Sequence, residues 1–339
     1  MARRAVILGG TGQIGQATAA RLAEARWTVT CAQRGERATP ASLAERGVDF
    51  VRFDRDAPGA LAAVIGDGAD AVIDTIAYTA EHARQLLALQ GAIGALAVVS
   101  SASVYRDDEG RTLDEAGERG FPRMPTAIGE DQPTVEPGPS TYSTRKAALE
   151  RELLDGARVN LAILRACAIY GPGCRSPREW WFLKRLLDGR RRVPLAYDGR
   201  SQFHTAYAGN IAELIRVALD QGGTHVLNAA DPDPPSVLQI GEMIAGVYGW
   251  NWDLVGVEGL SGTLGATPWS IERDFVVDMS RAQALGYRPI AGYGEAIGET
   301  CRALAAAAGR DWKAAFPGLA AYPFDLFDYA AEDRFFAGG

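Results

Sequence analysis

The stretch that decides the fold is Arg4-Ala5-Val6-Ile7-Leu8-Gly9-Gly10-Thr11-Gly12-Gln13-Ile14-Gly15. Its apolar run, residues 5–8, predicts a buried strand, and residues 16–25 predict a helix. The glycines between them allow a tight turn and a close approach of a ligand to the backbone, and a helix N-terminus favours an anionic group. The stretch therefore predicts a site for the pyrophosphate of a dinucleotide.

Short apolar runs and helical stretches alternate along the chain that follows. Such alternation predicts parallel strand-helix-strand units with right-handed crossovers, and hence an α/β fold with a doubly wound, Rossmann-type parallel sheet. The predicted strands are 5–8, 28–32, 48–53, 71–76, 95–100, 161–164 and 225–228. The predicted helices between them are 16–25, 60–65 and 81–93.

Composition narrows the class of protein. The 339 residues carry a net charge of −7, which argues against a surface for nucleic acid or anionic membranes. The four cysteines form no CxxC pair and the three histidines have no metal-ligand spacing. The first apolar run is too short for a signal peptide or a membrane span. We therefore expect a cytoplasmic protein without a structural metal, acting on a small-molecule substrate.

The second half of the chain differs in composition. Six of the seven tryptophans in the whole chain follow residue 165. This change predicts a dinucleotide-binding domain, residues 1–167 with 204–230, and a smaller, mostly helical substrate lobe, residues 168–203 and 231–339. The tryptophans could equally fill a core. A basic cluster in this half could grip phosphates or form a solvated helix face: Arg175, Arg178, Lys184, Arg185, Arg190, Arg191, Arg192 and Arg200.

The end of the second predicted strand bears on cofactor choice. Dinucleotide folds usually place an acidic residue there for the adenosine ribose, whereas this chain has Gln33 followed by Arg34. An arginine could bind a 2′-phosphate, so we predict NADP, with NAD possible; a solvated turn residue is the alternative. Asp54 and the Arg55 backbone amide could read the adenine edge or form an exposed turn. The complete predicted cofactor-binding set is Gly9, Gly12, Gln13, Ile14, Gly15, Gln33, Arg34, Asp54, Arg55, Ile76, Ala77, Lys146 and Ile169.

Three further residues predict proton transfer. Tyr142 and Lys146 are four residues apart, so on a helix both project from one face. An ammonium about 4 Å from the phenol would contribute up to ~4 kcal/mol at an effective dielectric near 20, enough to lower the tyrosine pKa from its ordinary value near 10. Ser101 ends the fifth predicted strand, where a hydroxyl could orient a substrate oxygen toward Tyr142. We therefore predict Ser101, Tyr142 and Lys146 as catalytic residues.

Taken together, these motifs resemble the extended short-chain dehydrogenase/reductase family, its NAD-dependent epimerase/dehydratase group. The resemblance covers about residues 4–295, and its further motifs include Arg165 with Tyr170-Gly171-Pro172 and Leu285-Gly286-Tyr287-Arg288-Pro289. It implies a Ser101, Tyr142 and Lys146 triad, with Lys146 also binding the nicotinamide ribose, and a homodimer. The chain has Ala168 where nucleotide-sugar epimerases of the family usually carry an asparagine.

These observations lead to one expected activity and two alternatives. We expect an NADP-dependent oxidoreductase or epimerase that exchanges a hydride at a carbinol or carbonyl carbon, with a nucleotide sugar as a candidate substrate. A reductase of a small or polycyclic aldehyde or ketone is the first alternative. A dinucleotide-sensing protein without catalysis is the second. The long segment 106–128 is either a lid or a surface excursion.

Overall fold

The computed structural model describes residues 2–36 and 38–338. Its strands are β1 Arg4–Leu8, β2 Thr28–Gln33, β3 Asp49–Arg52, β4 Ala69–Asp74, β5 Ile93–Ser101, β6 Asn160–Ala166, β7 Ala168–Tyr170, β8 Arg192–Ala196, β9 Thr205–Tyr207, β10 Thr224–Ala229 and β11 Asp253–Val257. Its α-helices are α1 Gln13–Glu24, α2 Ala41–Ala44, α3 Ala60–Ile65, α4 Ala80–Leu87, α5 Ala116–Arg119, α6 Tyr142–Gly156, α7 Trp180–Leu187, α8 Ala208–Gln221, α9 Val237–Val247, α10 Ser280–Ala284, α11 Tyr293–Ala308, α12 Trp312–Ala315, α13 Pro317–Ala320 and α14 Tyr329–Ala337.

The first of two compact units holds the main sheet. It extends through Cys167 and includes Ala208–Ala230 and Val277–Ile290. Seven strands lie in the order β10-β6-β5-β4-β1-β2-β3, and every neighbouring pair is parallel. The prediction of a doubly wound, Rossmann-type parallel sheet is therefore confirmed.

Burial explains why these segments form strands and helices. The central strands β1, β4 and β5 are almost wholly buried, as expected where helices cover both faces of a parallel sheet. Helix α1 buries the positions Ile14, Thr18 and Leu22, which recur every four residues along one face. Helices α4 and α6 pack on each other and contribute Leu86 and Leu149 to a core beneath the sheet.

One predicted helix is wrong at its C-terminal end. The sequence predicts a helix over residues 81–93, but α4 ends at Leu87, a short 3-10 turn covers Gln90–Ala92, and β5 begins at Ile93. The apolar run that starts at Ile93 lies fully inside the sheet. Of the residues assigned wrongly, 88–92 lie in the turn between α4 and β5 and only Ile93 lies in the strand. Local pattern locates the ends of helices less well than their presence, which accounts for the error.

The second unit has its own core. It comprises Ala168–Tyr207, Asp231–Val276 and the residues from Ala291 onward, with the parallel pairs β7-β9 and β8-β11. Trp180, Trp181 and Trp269 are buried in one apolar cluster, packed against Phe182 and Phe316. For these three tryptophans the core-filling interpretation is confirmed.

The basic cluster of this unit is largely neutralised by acidic partners. Arg185 is buried, and its guanidinium lies 2.6 Å from a carboxylate oxygen of Glu332 on α14. The aromatic C-terminal segment therefore docks on α7. Because acidic side chains already pair with most of these basic residues, the cluster does not form a continuous phosphate-binding patch. The other ion pairs of the cluster are Lys184 with Asp188, Arg190 with Glu332 and Asp333, Arg192 with Asp253, and Arg200 with Asp198. Within the residues that the structure describes, no helix is long and apolar enough to cross a membrane.

A buried carboxyl makes the stability of this unit depend on pH. Burial raises the pKa of Glu179 from 4.5 to about 7. Since the folded-state pKa lies above the unfolded one, the protonated acid costs no stability below about pH 4.5. The free energy of unfolding then falls as the pH rises from about 4.5 to about 7, and the full penalty is present above that range. We expect Glu179→Gln to unfold like the wild type near pH 4 and to be more stable by on the order of 3 kcal/mol near pH 9.

Urea unfolding followed by tryptophan fluorescence at several pH values measures this difference. The exposed Glu242 on α9 provides a matched control, because its replacement by glutamine should leave the pH profile of the unfolding free energy unchanged. A Glu179→Gln profile parallel to that of the wild type between pH 4 and pH 9 would contradict the expectation.

Candidate active site

The glycine turn after β1 is built to bring a ligand against the backbone. Gly9 has a φ of 85°, and the amides of Gly9 and Gly10 donate to the carbonyl of Ala32 over 3.0 and 3.2 Å. A Cβ on Gly15 would lie 2.3 Å from the Gly9 carbonyl oxygen, so only glycine fits there. The first turn of α1 thus packs directly on the glycine loop.

The N-terminus of α1 fits an anionic group. Its N-cap is Gly12, no side chain caps the first amides, and the first turn contains no acidic residue. The Oε1 atom of Gln13 is buried without a hydrogen-bond partner. Free helical amides and a partial positive charge together favour a phosphate at this end. The residues Gly9 to Gly15 therefore fit the pyrophosphate of a dinucleotide, as the sequence predicts.

The residues predicted to bind the adenosine end of the dinucleotide lie at and just after the end of β2. Gln33 accepts a hydrogen bond from the Gly35 amide over 3.0 Å. The Arg34 side chain is about two-thirds exposed and lies 3.4 Å from the Glu36 carboxylate. Because this ion pair is exposed, the arginine can exchange its carboxylate partner for a phosphate at little cost.

Strands β3 and β4 end in a buried ion pair that the sequence did not predict. The Arg55 guanidinium donates to Asp74 over 2.5 Å and to Gln85 over 2.9 Å, and both members of the Arg55–Asp74 pair are buried. The Arg55 side chain is therefore structural. The Asp54 carboxylate accepts a hydrogen bond from the Asp56 amide over 3.1 Å.

Two of the predicted cofactor contacts follow directly after β4. Ile76 is 42% exposed, and its side chain occupies the space that a Cβ on Gly9 would need. Ala77 is buried beside it. The last predicted contact, Ile169, belongs to the second unit, where it is half-buried on β7.

The three predicted catalytic residues lie on β5 and α6 of the first unit. Ser101 is the last residue of β5, and Tyr142 opens α6, whose N-cap Thr141 forms a capping box with Thr144. Tyr142 is 40% exposed, and the Ser101 hydroxyl is close enough to act on its pKa. Lys146 lies one turn further along α6 and is buried. The structure thus brings together the end of β5 and the first turns of α6.

Lys146 does not lower the pKa of Tyr142 in this structure. Its ammonium donates to the carbonyl oxygens of Ala77 over 2.7 Å and Val99 over 2.9 Å, and it lies 5.9 Å from the centre of the Tyr142 ring. Desolvation raises the pKa of Tyr142 above its ordinary value, although the polar Ser101 side chain opposes this. The expectation of a lowered phenol pKa is wrong here, because the helical spacing did not reveal the two carbonyls that hold the ammonium.

The buried ammonium has a perturbed pKa of its own. Desolvation lowers the pKa of Lys146 to about 8, although the nearby Asp74 and Glu150 carboxylates oppose it. Glu150 is also held by two buried donors, the Ser100 hydroxyl at 2.5 Å and the Arg165 guanidinium at 2.7 Å. The charge on Lys146 therefore changes within the pH range in which enzymes work.

A chain of hydroxyls that was not predicted extends from Ser101. The Ser101 and Ser103 Oγ atoms lie 3.0 Å apart, and the Ser143 hydroxyl donates to Ser103 over 2.9 Å. Ser143 is completely buried. Three linked hydroxyls restrict the rotation of each other and so help to orient the one that meets Tyr142. Their only signal in the sequence is that Ser103 and Ser143 lie close to Ser101 and Tyr142.

The segment 106–128 contributes to the same site. Burial alone would raise the pKa of Asp107, but the amides of Arg123 and Arg111 and the Arg111 guanidinium lower it to about 2. This carboxylate ties the segment together. Further along it, Asp114 accepts the Ser143 amide over 2.9 Å. The segment therefore supplies a carboxylate that caps the first turn of α6.

The fold and these residues define the class of protein. A Rossmann-type sheet, a glycine turn that fits a dinucleotide, and Ser101, Tyr142 and Lys146 at one end of that sheet are typical of dinucleotide-dependent enzymes that transfer a hydride. The family model described as "NAD dependent epimerase/dehydratase family" matches residues 5–230. The chain belongs to this family of enzymes, which removes the alternative of a non-catalytic protein.

Solved structures with the same fold include several nucleotide-sugar enzymes. A UDP-N-acetylglucosamine 4-epimerase from Methanobrevibacter ruminantium, in complex with UDP-N-acetylmuramic acid, is 19% identical with a TM-score of 0.69, covering 90% of this chain and 99% of that one. A dTDP-glucose 4,6-dehydratase from Bacillus anthracis, in complex with NAD, is 16% identical with a TM-score of 0.69, covering 93% and 100%. A UDP-glucose 4-epimerase from Thermotoga maritima, with UDP-glucose, is 17% identical with a TM-score of 0.66, covering 89% and 99%. No curated protein sequence matches the chain.

Proposed function

We propose that the chain is an NADP-dependent oxidoreductase or epimerase that exchanges a hydride at a carbinol or carbonyl carbon of a nucleotide sugar. The observation that carries the proposal is the meeting of Ser101, Tyr142 and Lys146 at the carboxyl end of β5, in a unit whose glycine turn fits a dinucleotide. The similarity in fold to enzymes described with UDP- and dTDP-sugars supports the substrate class.

The residues of the site divide the chemistry among them. A bound nicotinamide dinucleotide supplies or accepts a hydride at its C4 atom. Tyr142 gives a proton to the substrate oxygen when a carbonyl is reduced and takes it back when a carbinol is oxidised. Ser101 orients that oxygen through its hydroxyl. Lys146, with two of its hydrogens held by the Ala77 and Val99 carbonyls, can offer its third to the nicotinamide ribose.

One observation favours the alternative of a carbonyl reductase. Because desolvation keeps the pKa of Tyr142 above 10, its side chain is a phenol at neutral pH and is ready to donate a proton. Donation is what the reduction of an aldehyde or ketone requires. Ala168, in place of the usual asparagine, is consistent with a substrate that lacks a nucleotide diphosphate.

Calorimetric titration of the NADP-loaded protein with UDP, dTDP and GDP separates the two candidates. The nucleotide-sugar proposal predicts micromolar binding of at least one diphosphate. Absence of binding by all three would contradict it and favour the reductase of an uncharged carbonyl compound.

A homodimer and a cytoplasmic location stay predictions. Light scattering of the purified protein tests whether it is a homodimer.

The preference for NADP follows from Arg34 and gives a prediction of its own. We expect Arg34→Asp to raise the Kd of NADP by about 10- to 100-fold, because it removes a charge-assisted hydrogen bond to the 2′-phosphate and adds repulsion. The Kd of NAD should change by less than about threefold, since NAD lacks that phosphate. Fluorescence titration with both dinucleotides measures the two constants.

The neighbouring carboxylate provides the control. Glu36 competes for Arg34 in this structure. Its replacement by glutamine should leave NAD binding unchanged and should strengthen NADP binding modestly. An Arg34→Asp protein with the same ratio of NADP to NAD affinity as the wild type would contradict the preference.

A further inference from the structure

A second tyrosine, Tyr78, packs on Tyr142. Its ring centre lies 5.4 Å from that of Tyr142, with a tilt of 51° between the ring planes. The Arg145 guanidinium lies 4.9 Å from the centre of the Tyr78 ring and also donates a 2.8 Å hydrogen bond to its hydroxyl oxygen. Tyr142 and Arg145 are three residues apart on α6 and are neighbours on its surface. Tyr78 therefore contacts both ends of the first turn of α6.

The backbone around Tyr78 is held from two sides. The Tyr78 amide donates to Nδ1 of His82 over 2.8 Å. Desolvation and the charge of Arg55 lower the pKa of His82, which keeps its imidazole neutral and able to accept. The carbonyl of the preceding residue, Ala77, accepts from Lys146 over 2.7 Å. A side chain on such a fixed backbone, with its own hydroxyl anchored, has little freedom to move away from Tyr142.

We propose that Tyr78, held in place by Arg145, is a positioning residue that fixes the orientation of the Tyr142 phenol. The inference rests on the proposed function, since it concerns the group that transfers the proton. The first turn of a helix lacks backbone partners for its amides, and a half-exposed tyrosine there would otherwise sample several rotamers. Restricting Tyr142 to one of them supplies the geometry that proton transfer needs, and small displacements at such a site are costly.

The sign of one pKa change separates this role from simple electrostatics. Removal of a nearby cation, taken alone, raises the pKa of a phenol. If Arg145 acts through Tyr78, Arg145→Met instead frees the Tyr78 ring, lets more water reach Tyr142 and lowers its pKa toward the ordinary value. The other groups that face Tyr142 are Ser101 from β5, Asp114 from the segment 106–128 and Lys146 from α6, and none of them changes in this variant.

The experiment uses the complete protein labelled with 3-fluorotyrosine. Fluorine NMR gives the pKa of each tyrosine, fluorine lowers all of these values so that titration precedes alkaline unfolding, and Tyr142→Phe identifies the Tyr142 signal. We expect Arg145→Met and Tyr78→Ala each to lower the Tyr142 pKa by about half a unit or more, because both admit water to the phenol. Arg151→Met, an exposed arginine on the same helix, is the matched control and should leave the signal unchanged.

The outcomes bear on the two claims separately. A rise in the Tyr142 pKa in Arg145→Met, or no change, would overturn the positioning role. Turnover gives a second readout: both variants should lower kcat by about tenfold or more with little change in KM, since they displace a reacting group and not a binding group. If Tyr142→Phe turned over as fast as the wild type, the proposed function would fail, while the NMR result would still decide whether Tyr78 positions Tyr142.

Discussion

Tyr142→Phe is expected to lower kcat by about 10²- to 10⁴-fold, the usual contribution of a side chain that moves a proton in the transition state. The variant retains the ring that packs on Tyr78, so the shape of the site and the first turn of α6 should persist. Dinucleotide binding should change by less than about twofold, because the glycine turn and Lys146 are untouched. Steady-state kinetics and fluorescence titration of the cofactor measure the two quantities.

The control for this variant is an exposed tyrosine that has no role in the site. Tyr248, which follows α9 in the second unit, is 38% exposed, and Tyr248→Phe should turn over like the wild type. Retention of more than about a tenth of the activity in Tyr142→Phe would remove Tyr142 from the chemistry, since a general acid or base contributes at least ~10²-fold.

The second large effect is expected at Gly15. A Cβ there would lie 2.3 Å from the Gly9 carbonyl oxygen and 2.8 Å from the Gly10 Cα, and both are backbone atoms that cannot turn aside as a side chain could. Gly15→Ala must therefore push α1 away from the glycine loop and displace the amides that would face a pyrophosphate. We expect the Kd of the dinucleotide to rise by about 100-fold or more, because several of these charge-assisted contacts are lost together.

Alanine substitutions at two other glycines provide comparisons for the effect of Gly15→Ala. A Cβ on Gly12 would lie 3.3 Å from the Gly9 oxygen, a contact that a shift of a few tenths of an ångström relieves, so Gly12→Ala should disturb the packing of α1 on the loop far less. Gly246 in α9 has open space around it, and Gly246→Ala should leave binding unchanged and the helix somewhat more stable. Calorimetric titration compares the three, with thermal unfolding as a check on folding. Normal dinucleotide binding by a folded Gly15→Ala protein would contradict the assigned cofactor site.

The fold could be predicted from local patterns. The buried strands of a parallel sheet are continuous apolar runs, and the seven strands of the sheet overlap the seven predicted runs. The predicted helix after β4 extends too far, over the turn 88–92 and into Ile93, because helix ends carry a weaker local signal than helix interiors. Pattern therefore predicts which element is present more reliably than where it ends.

The candidate site could be predicted only in part. Ser101, Tyr142 and Lys146 carry recognisable spacing, whereas Tyr78 and Asp114 reach α6 through contacts that join residues far apart in sequence. The same limit explains the error over the pKa of Tyr142. A helical spacing predicts that Lys146 lies on the face of Tyr142, but not that the carbonyls of Ala77 and Val99 hold its ammonium.

The central claim is that this enzyme exchanges a hydride at a substrate carbon while Tyr142 moves the proton. The most direct measurement is absorbance at 340 nm, where reduced nicotinamide absorbs, after the NADP-loaded protein is mixed with a panel of UDP-, dTDP- and GDP-sugars. The account predicts a rise in absorbance with at least one sugar in the wild type, and a rise at least about 100-fold slower in Tyr142→Phe. No rise with any sugar, or an equally fast rise in the variant, would contradict it.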